Sequence, residues 1–308
     1  MREKIYRYLR RSVSNLIFIP FYYLYKYICH HPKIYSTNET IQTIIKNKAS
    51  VSRFGDGEFK WMINFKQNSF QHNSDLMNRR LIEILNSSSK RHIVCIPEAF
   101  DFHSSDEYIP WVRKYWKKEI GLHWIKWSSL LNLKKRYYNT QITRPYIDYK
   151  IKETASQKFT SIKRIWENRN VIMVEGSKTR FGIGNDLLDN TKSVERIICP
   201  SQNAFDNYDH IISSITKYIF QINKKDILIL ISLGPTATIL SYDLSRYGVQ
   251  SIDIGHLDIE YEWFKRQVKE KVPINGKYVN EINNHYSGEL SKSLINKYQG
   301  QIIMRVDA

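Results

Sequence analysis

Apolar residues recur along this chain with two periods. After residue 33, "NETIQTIIKNK" places Ile41, Ile44 and Ile45 on one helical face, with Asn38 positioned to cap the start. The apolar stretch "ASVSRFG" then predicts a short strand over 50–54, "RRLIEILNSS" an amphipathic helix, and "HIVCIP" a second strand. Residues 100–138 are rich in Trp and charge and show no clear period. A helix through "SQKFTSIKRIWEN" leads into the apolar strand "NVIMVEG". The most legible stretch is "DILILISLGPTATILSYDLSRYGVQSIDIGH": apolar run, Gly-Pro turn, helix, Gly stop, second apolar run. That is a βαβ unit, and strands without polar alternation imply a parallel sheet covered on both faces. The expected fold class is α/β, a Rossmann-like and mostly parallel sheet flanked by helices.

The first residues, "MREKIYRYLRRSVSNLIFIPFYYLYKYICHHPK", differ from the rest. Five cations (Arg2, Lys4, Arg7, Arg10, Arg11) precede an apolar aromatic run from Leu16 to Tyr25 that Pro20 interrupts. No small-residue cleavage site follows, and the run is shorter than the roughly 20 apolar residues a membrane span needs. Residues 1–32 are therefore expected to form a basic, aromatic helical segment, distinct from a domain over 33–308. Its two readings are peripheral contact with an anionic leaflet and packing of its aromatic face on the domain.

Composition narrows the partners. The chain has 308 residues, and its apolar content of 42% supports a folded globular protein. The net charge of +17 invites a nucleic-acid reading, but Lys and Arg are spread throughout, with one dense block at "LKKRYY" around Lys134. No nucleic-acid partner is expected; the basic surface suits anionic substrates or an anionic membrane face. Cys29, Cys95 and Cys199 are odd in number and lack metal-ligand spacing, which suits a reducing, cytoplasmic setting.

Three polar motifs follow predicted strands, where open α/β sheets bind ligands. The first is "RFGDGEF". In an extended segment, side chains at i and i+2 share a side, so Asp56 and Glu58 would face one hard cation, Mg²⁺ or Mn²⁺. Gly57 leaves room for a ligand, and Arg53 adds a fork of donors for phosphate or for one of these acids. A Gly-Asp-Gly turn with solvated acids is the plain alternative. The second, "EGSKTRFGIGND", matches neither the P-loop nor the dinucleotide fingerprint. Its glycines and the cations Lys178 and Arg180 are compatible with a diphosphate cradle or with an ordinary connection. The third, "GHLDIEYEWF", places His256, Asp258, Glu260 and Glu262 within seven residues, acid-dense for a strand end. Those acids offer a general base, a further metal ligand or a binder of an acceptor hydroxyl, or simply an acidic helix start. In "SLGPTATIL", Gly234 and Thr236 open a helix whose free N–H groups suit a phosphate, unless they only cap it.

Taken in order, "RFGDGEF", "ITRPYIDY", "EGSKTRFGIGNDLLDN", "RIICPSQNAFDNYDHI" and "LGPTATILSYDLSRYGVQSIDIGHLDIEYEWF" resemble the GT-D-type glycosyltransferases, over about residues 37–270. The resemblance implies a metal-dependent enzyme that moves a sugar, glucose first, from a UDP-sugar to a glycan hydroxyl in bacterial surface polysaccharide or glycoprotein synthesis. It implies Mn²⁺ or Mg²⁺ on the D-x-E residues, here Asp56 and Glu58. Arg53, Gly55, Lys178, Arg180, Asn185, Gly234 and Thr236 are then the expected nucleotide-sugar contacts. Glu260, Asp258 or His256 is the expected base. The acceptor would be a glycan on a protein or lipid carrier, met at the inner face of the cell membrane. Two other classes compete: a metal-dependent phosphotransferase or phosphohydrolase, and a non-catalytic binder of RNA or lipid.

Overall fold

The computed structural model describes residues 2–65, 71–87, 89–222, 224–282, 285 and 288–306, with backbone alone over 2–13. Among these, nine strands form one sheet in the order β1-β4-β3-β2-β8-β7-β5-β6-β9, and every pairing is parallel. The strands are β1 (Lys33–Ile34), β2 (Ser50–Arg53), β3 (His92–Ile96), β4 (Arg136–Asn139), β5 (Asn170–Gly176), β6 (Ser193–Cys199), β7 (Ile227–Ser232), β8 (Gln250–Asp253) and β9 (Ile302–Arg305). The helices are α1 (Arg2–Ile28), α2 (Thr37–Asn47), α3 (Asp56–Met62), α4 (Asp75–Asn86), α5 (Pro110–Leu130), α6 (Ala155–Lys163), α7 (Tyr208–Gln221), α8 (Pro235–Arg246), α9 (Leu257–Lys265) and α10 (Lys292–Gln301).

The unalternated strands are apolar because both faces are covered. Val171, Met173, Leu228 and Leu230 point into one core with Ile41 and Ile44 of α2, Phe159 of α6 and Trp263 of α9. Their neighbours Ile172, Val174, Ile229 and Ile231 point into the opposite core, against Ile211 of α7 and Leu240 of α8. Successive side chains of a strand face opposite ways, so each face needs its own apolar set. The Trp-rich stretch that shows no period is largely α5. Trp116, Trp124 and Trp127 join Phe59, Phe100 and Phe102 in an aromatic cluster on the α3–α4 side.

One expectation changes at the N-terminal end. The cap of α2 is Ser36, not Asn38: its side chain accepts from Glu39 N–H while Glu39 reaches back to Ser36. Helix α1 is packed on the domain. Tyr22 is 1% exposed, stacks on Phe102, and its hydroxyl donates to the Phe102 carbonyl at 3.2 Å. Gly121 of α5 lets the two helices meet, since a β-carbon there would lie 2.8 Å from the carbonyl carbon of Phe18. The side chains of Arg2, Lys4, Arg7, Arg10 and Arg11 lie outside the described residues.

Candidate active site

The chain order makes the site. From β2 the sheet grows outward through β3, β4 and β1, and on the other side of β2 through β8, β7 and β5. Ligands in such sheets sit beyond the carboxyl ends of the strands, near the point where the order reverses. A cavity of about 300 Å³ lies there, bordered by Arg53 at the end of β2, Gly176 at the end of β5, Ser232–Pro235 at and beyond the end of β7, and Asp253 at the end of β8. Its remaining wall includes Gly57, Glu58, Trp61, His256, Tyr278 and Asn280.

Arg53 is the central cation. It ends β2, lies 3.7 Å from Asp253 Oδ1 through Nε, and donates from Nη1 to the Thr143 hydroxyl. Gly255, at φ +48°, admits this guanidinium: a β-carbon would stand 2.8 Å from Cζ and 2.9 Å from Nη1. Both the close approach and the left-handed backbone require glycine.

Residues 56–62 are helical, so the extended geometry expected for Asp56 and Glu58 does not occur. One turn of helix separates positions i and i+2 by more than half a revolution, and the two carboxylates diverge. Asp56 accepts from Lys60 Nζ at 2.8 Å and from the Tyr115 hydroxyl, on the side of α5. Burial raises its carboxyl, but Lys60 and Tyr115 outweigh that and hold it below the ordinary value. Glu58 borders the cavity and accepts the N–H of Gly55 at 2.8 Å, closing the first turn of α3. Burial pushes Glu58 up to about 7, with Asp253 adding to the rise and the Gly55 N–H and Arg53 opposing it. Asp253 is also raised, first by burial, against Arg53 and the Thr238 hydroxyl. Three carboxylates thus border this cavity, Glu58, Asp253 and Asp258. Among the described residues no three His, Cys, Asp or Glu side chains cluster as a metal centre.

The acid-dense segment after β8 is mostly structural. Glu260 is 1% exposed and accepts the N–H groups of Tyr146 and Ile147 at 3.1 and 3.0 Å, away from the cavity wall. Asp258 touches the cavity, but its oxygens accept from Gly182 N–H, Asn185 and Lys277. Of the three expected bases, Glu260 does not border the cavity, and both oxygens of Asp258 already accept hydrogen bonds. Asn185 bridges Asp258 and Glu262 and does not border the cavity. His256 borders the cavity, and its buried Nδ1 lies 3.6 Å from Glu281 without a hydrogen bond. Burial lowers its imidazole to about 4; Glu281 opposes this, and Arg144, Arg53 and Lys271 reinforce it. The ring is therefore neutral at pH 7.

The expected diphosphate cradle is only partly assembled. Gly176 and Gly234 border the cavity, Gly234 with φ +56° at the start of α8. Thr236 is buried behind them with no partner for its hydroxyl, and Gly55 serves through its N–H to Glu58. Lys178 is exposed and Arg180 donates to the Gly276 carbonyl at 2.9 Å; neither borders the cavity. Arg180 instead pins the loop that carries Tyr278 and Asn280. Sequence reading did not single out Asp253, Trp61, Tyr278, Asn280 or Glu281. Asp253 alone left a signal, an acid inside the apolar strand "SIDIGH".

Comparison with known proteins decides the family. The GT-D glycosyltransferase fold matches residues 51–282. The chain belongs to the GT-D-fold glycosyltransferases. It is 35% identical over 269 residues to Glycosyltransferase GlyD of Streptococcus pneumoniae serotype 4 (strain ATCC BAA-334 / TIGR4), covering 87% of this chain and 32% of that protein. It is 33% identical over 251 residues to the probable glycosyl transferase Gly of Streptococcus gordonii, covering 81% of this chain and 36% of that one. The chain thus spans about a third of the length of these two relatives. Among solved structures, it superposes on a GT-D structure reported as the highly conserved domain of unknown function 1792, with a TM-score of 0.84 and 33% identity. That match covers 93% of this chain and all of the other. A second, described as a new glycosyltransferase from Streptococcus sanguinis, gives 0.81 and 32%, covering 89% and 99%. The GT-D family match includes every residue that borders the cavity.

Proposed function

We propose that this chain transfers a sugar, glucose as first choice, from a UDP-sugar to a hydroxyl of a glycan carried on protein or lipid, in bacterial surface polysaccharide or glycoprotein synthesis at the cytoplasmic face of the membrane. The observation that carries this reading is the cavity at the strand ends, where Arg53 stands beside the glycines at positions 176, 234 and 255. A diphosphate needs positive charge and close backbone approach, and this wall supplies both. Trp61 and Tyr278 offer flat apolar surface for a base or sugar ring.

Mg²⁺ and Mn²⁺ take one or two carboxylates and complete their shell with phosphate oxygens and water. Glu58 and Asp253 fit that need, since both border the cavity and both are raised by burial, Glu58 further by the charge of Asp253. Asp56 gives its Oδ2 to Lys60 and Tyr115 on the α5 side; it would fix the first turn of α3 and so the aim of Glu58. A bound ion would supply the positive charge that a departing diphosphate requires.

Arg53 would share the charge of the leaving UDP from a rigid seat over Gly255. The acceptor oxygen would attack the anomeric carbon, the bond from that carbon to the diphosphate would break, and the acceptor proton would pass to His256. A diphosphate beside His256 raises the proton affinity of the ring, and Glu281 stabilises the imidazolium. The test is nucleoside diphosphate release from a panel of nucleotide sugars with Mn²⁺, with Mg²⁺ and with chelator. Ion-dependent release of UDP supports the reading; release of inorganic phosphate, or none from any donor, overturns it.

A further inference from the structure

Helix α1 is apolar on both of its long faces from residue 16 to residue 28. Inward, Tyr22 enters the core and Tyr25 packs against it. Outward, Leu16, Ile17, Pro20, Phe21, Tyr23, Leu24, Tyr27 and Ile28 are all exposed, Leu16 by 77% and Tyr27 by 80%. None of these eight carries a charge. A surface helix ordinarily turns polar residues to water, and one that is apolar all round belongs in a covered place. On α5, which packs against α1 at Gly121, Leu122 and Ile125 are exposed as well. Cations border the stripe on α1: Lys26 on α1, and Lys117 on α5, which donates to the Tyr23 hydroxyl at 2.8 Å and sits over its ring. Five more cations precede the stripe within residues 2–11.

We propose that this face of α1 and α5 docks the protein on an anionic lipid surface. Aromatic and aliphatic side chains flanked by Lys and Arg are the chemistry of a helix lying in the headgroup region. Charge decides against a second copy of the chain, because two molecules of net charge +17 would meet through their cation-bordered faces. An anionic leaflet meets the same border with opposite charge. No helix among the described residues is long and apolar enough to cross a membrane, so α1 would lie along the surface. The docking is independent of the transfer reaction and stands or falls without it.

Vesicle flotation of the full chain tests this. The protein is expected to float with phosphatidylcholine vesicles containing roughly one-third phosphatidylglycerol and to stay behind with phosphatidylcholine alone. Binding should fall several-fold between about 0.1 and about 0.5 M salt, as screening shortens the reach of the cations. The triple variant Leu16→Ser, Leu24→Glu, Tyr27→Ser alters only exposed side chains. It should keep its circular dichroism, its melting point and its UDP release, and lose about tenfold or more in vesicle partitioning. Failure to float on anionic vesicles, or equal flotation by the variant, overturns the proposal. A wild-type dimer in solution that the variant dissolves into monomers also overturns it, by showing that a second copy covers the face.

Discussion

The guanidinium of Arg53 occupies the space that a side chain on Gly255 would need. Arg53 ends β2 and Gly255 follows β8, so the contact ties together the two strands on which the chain order reverses. A Gly255→Ala variant must move this arginine and must also hold φ near +48° with a β-carbon present. It should lose about 1–2 kcal/mol of stability from the backbone alone. Donor turnover should fall by more than the loss of stability explains. Thermal melts together with UDP release check both.

Glu58 and Asp56 should separate in their effects. Glu58→Gln removes a carboxylate from the cavity wall, whereas Asp56→Asn disturbs a contact with Lys60 and Tyr115 behind it. In calorimetric titration of Mn²⁺ with UDP present, Glu58→Gln should bind about tenfold or more weakly, and Asp253→Asn likewise. Asp56→Asn should change ion affinity less. Equal losses for Asp56 and Glu58 would return the metal to the D-x-E pair.

His256 gives a pH signature. Its folded value lies near 4, below the ordinary imidazole value, so between these the unfolded chain binds the proton and the folded chain does not. Its contribution to stability is complete above about pH 6.5 and is lost as pH falls toward 4. His256→Asn should flatten that part of the stability–pH curve and reduce kcat by about a hundredfold at pH 7, with little change in donor KM. Unchanged kcat would remove His256 from the reaction.

The pair Glu175–Arg196 is a structural test away from the cavity. Arg196 Nη1 lies 2.5 Å from Glu175, with both side chains 1% exposed or less, and its Nη2 donates to the Phe181 carbonyl. Arg196→Met strands a buried carboxylate and should cost about 3–5 kcal/mol. Adding Glu175→Gln should recover part of that loss. Chemical denaturation of the two variants measures it.

The fold was largely legible because its signal is local. The stretch 226–256 announced apolar run, turn, helix and apolar run, and the structure has β7, α8 and β8 there. The Trp-rich stretch was not legible, because α5 mixes residue types on both faces: Trp111, Leu122 and Ile125 are exposed while Glu119 and His123 are buried. Its burial has a helical period that the apolar pattern does not follow.

The site divides in the same way. Sequence by itself determined the parallel α/β sheet and the three strand ends from which a site could be built. Local spacing carries those, through turn chemistry and apolar period, whereas the family rests on the resemblance of whole motifs and on the comparisons. Only the tertiary structure decided which polar side chains meet. It turned Asp56 toward Lys60 and Glu58 toward the cavity, because a helix begins at residue 56 where an extended segment was expected. It spent Glu260 on backbone N–H groups and Asp258 on Lys277, because buried carboxylates need donors wherever the chain happens to bring them. Those donors lie from 19 to 114 residues away along the chain, a distance over which spacing carries no information.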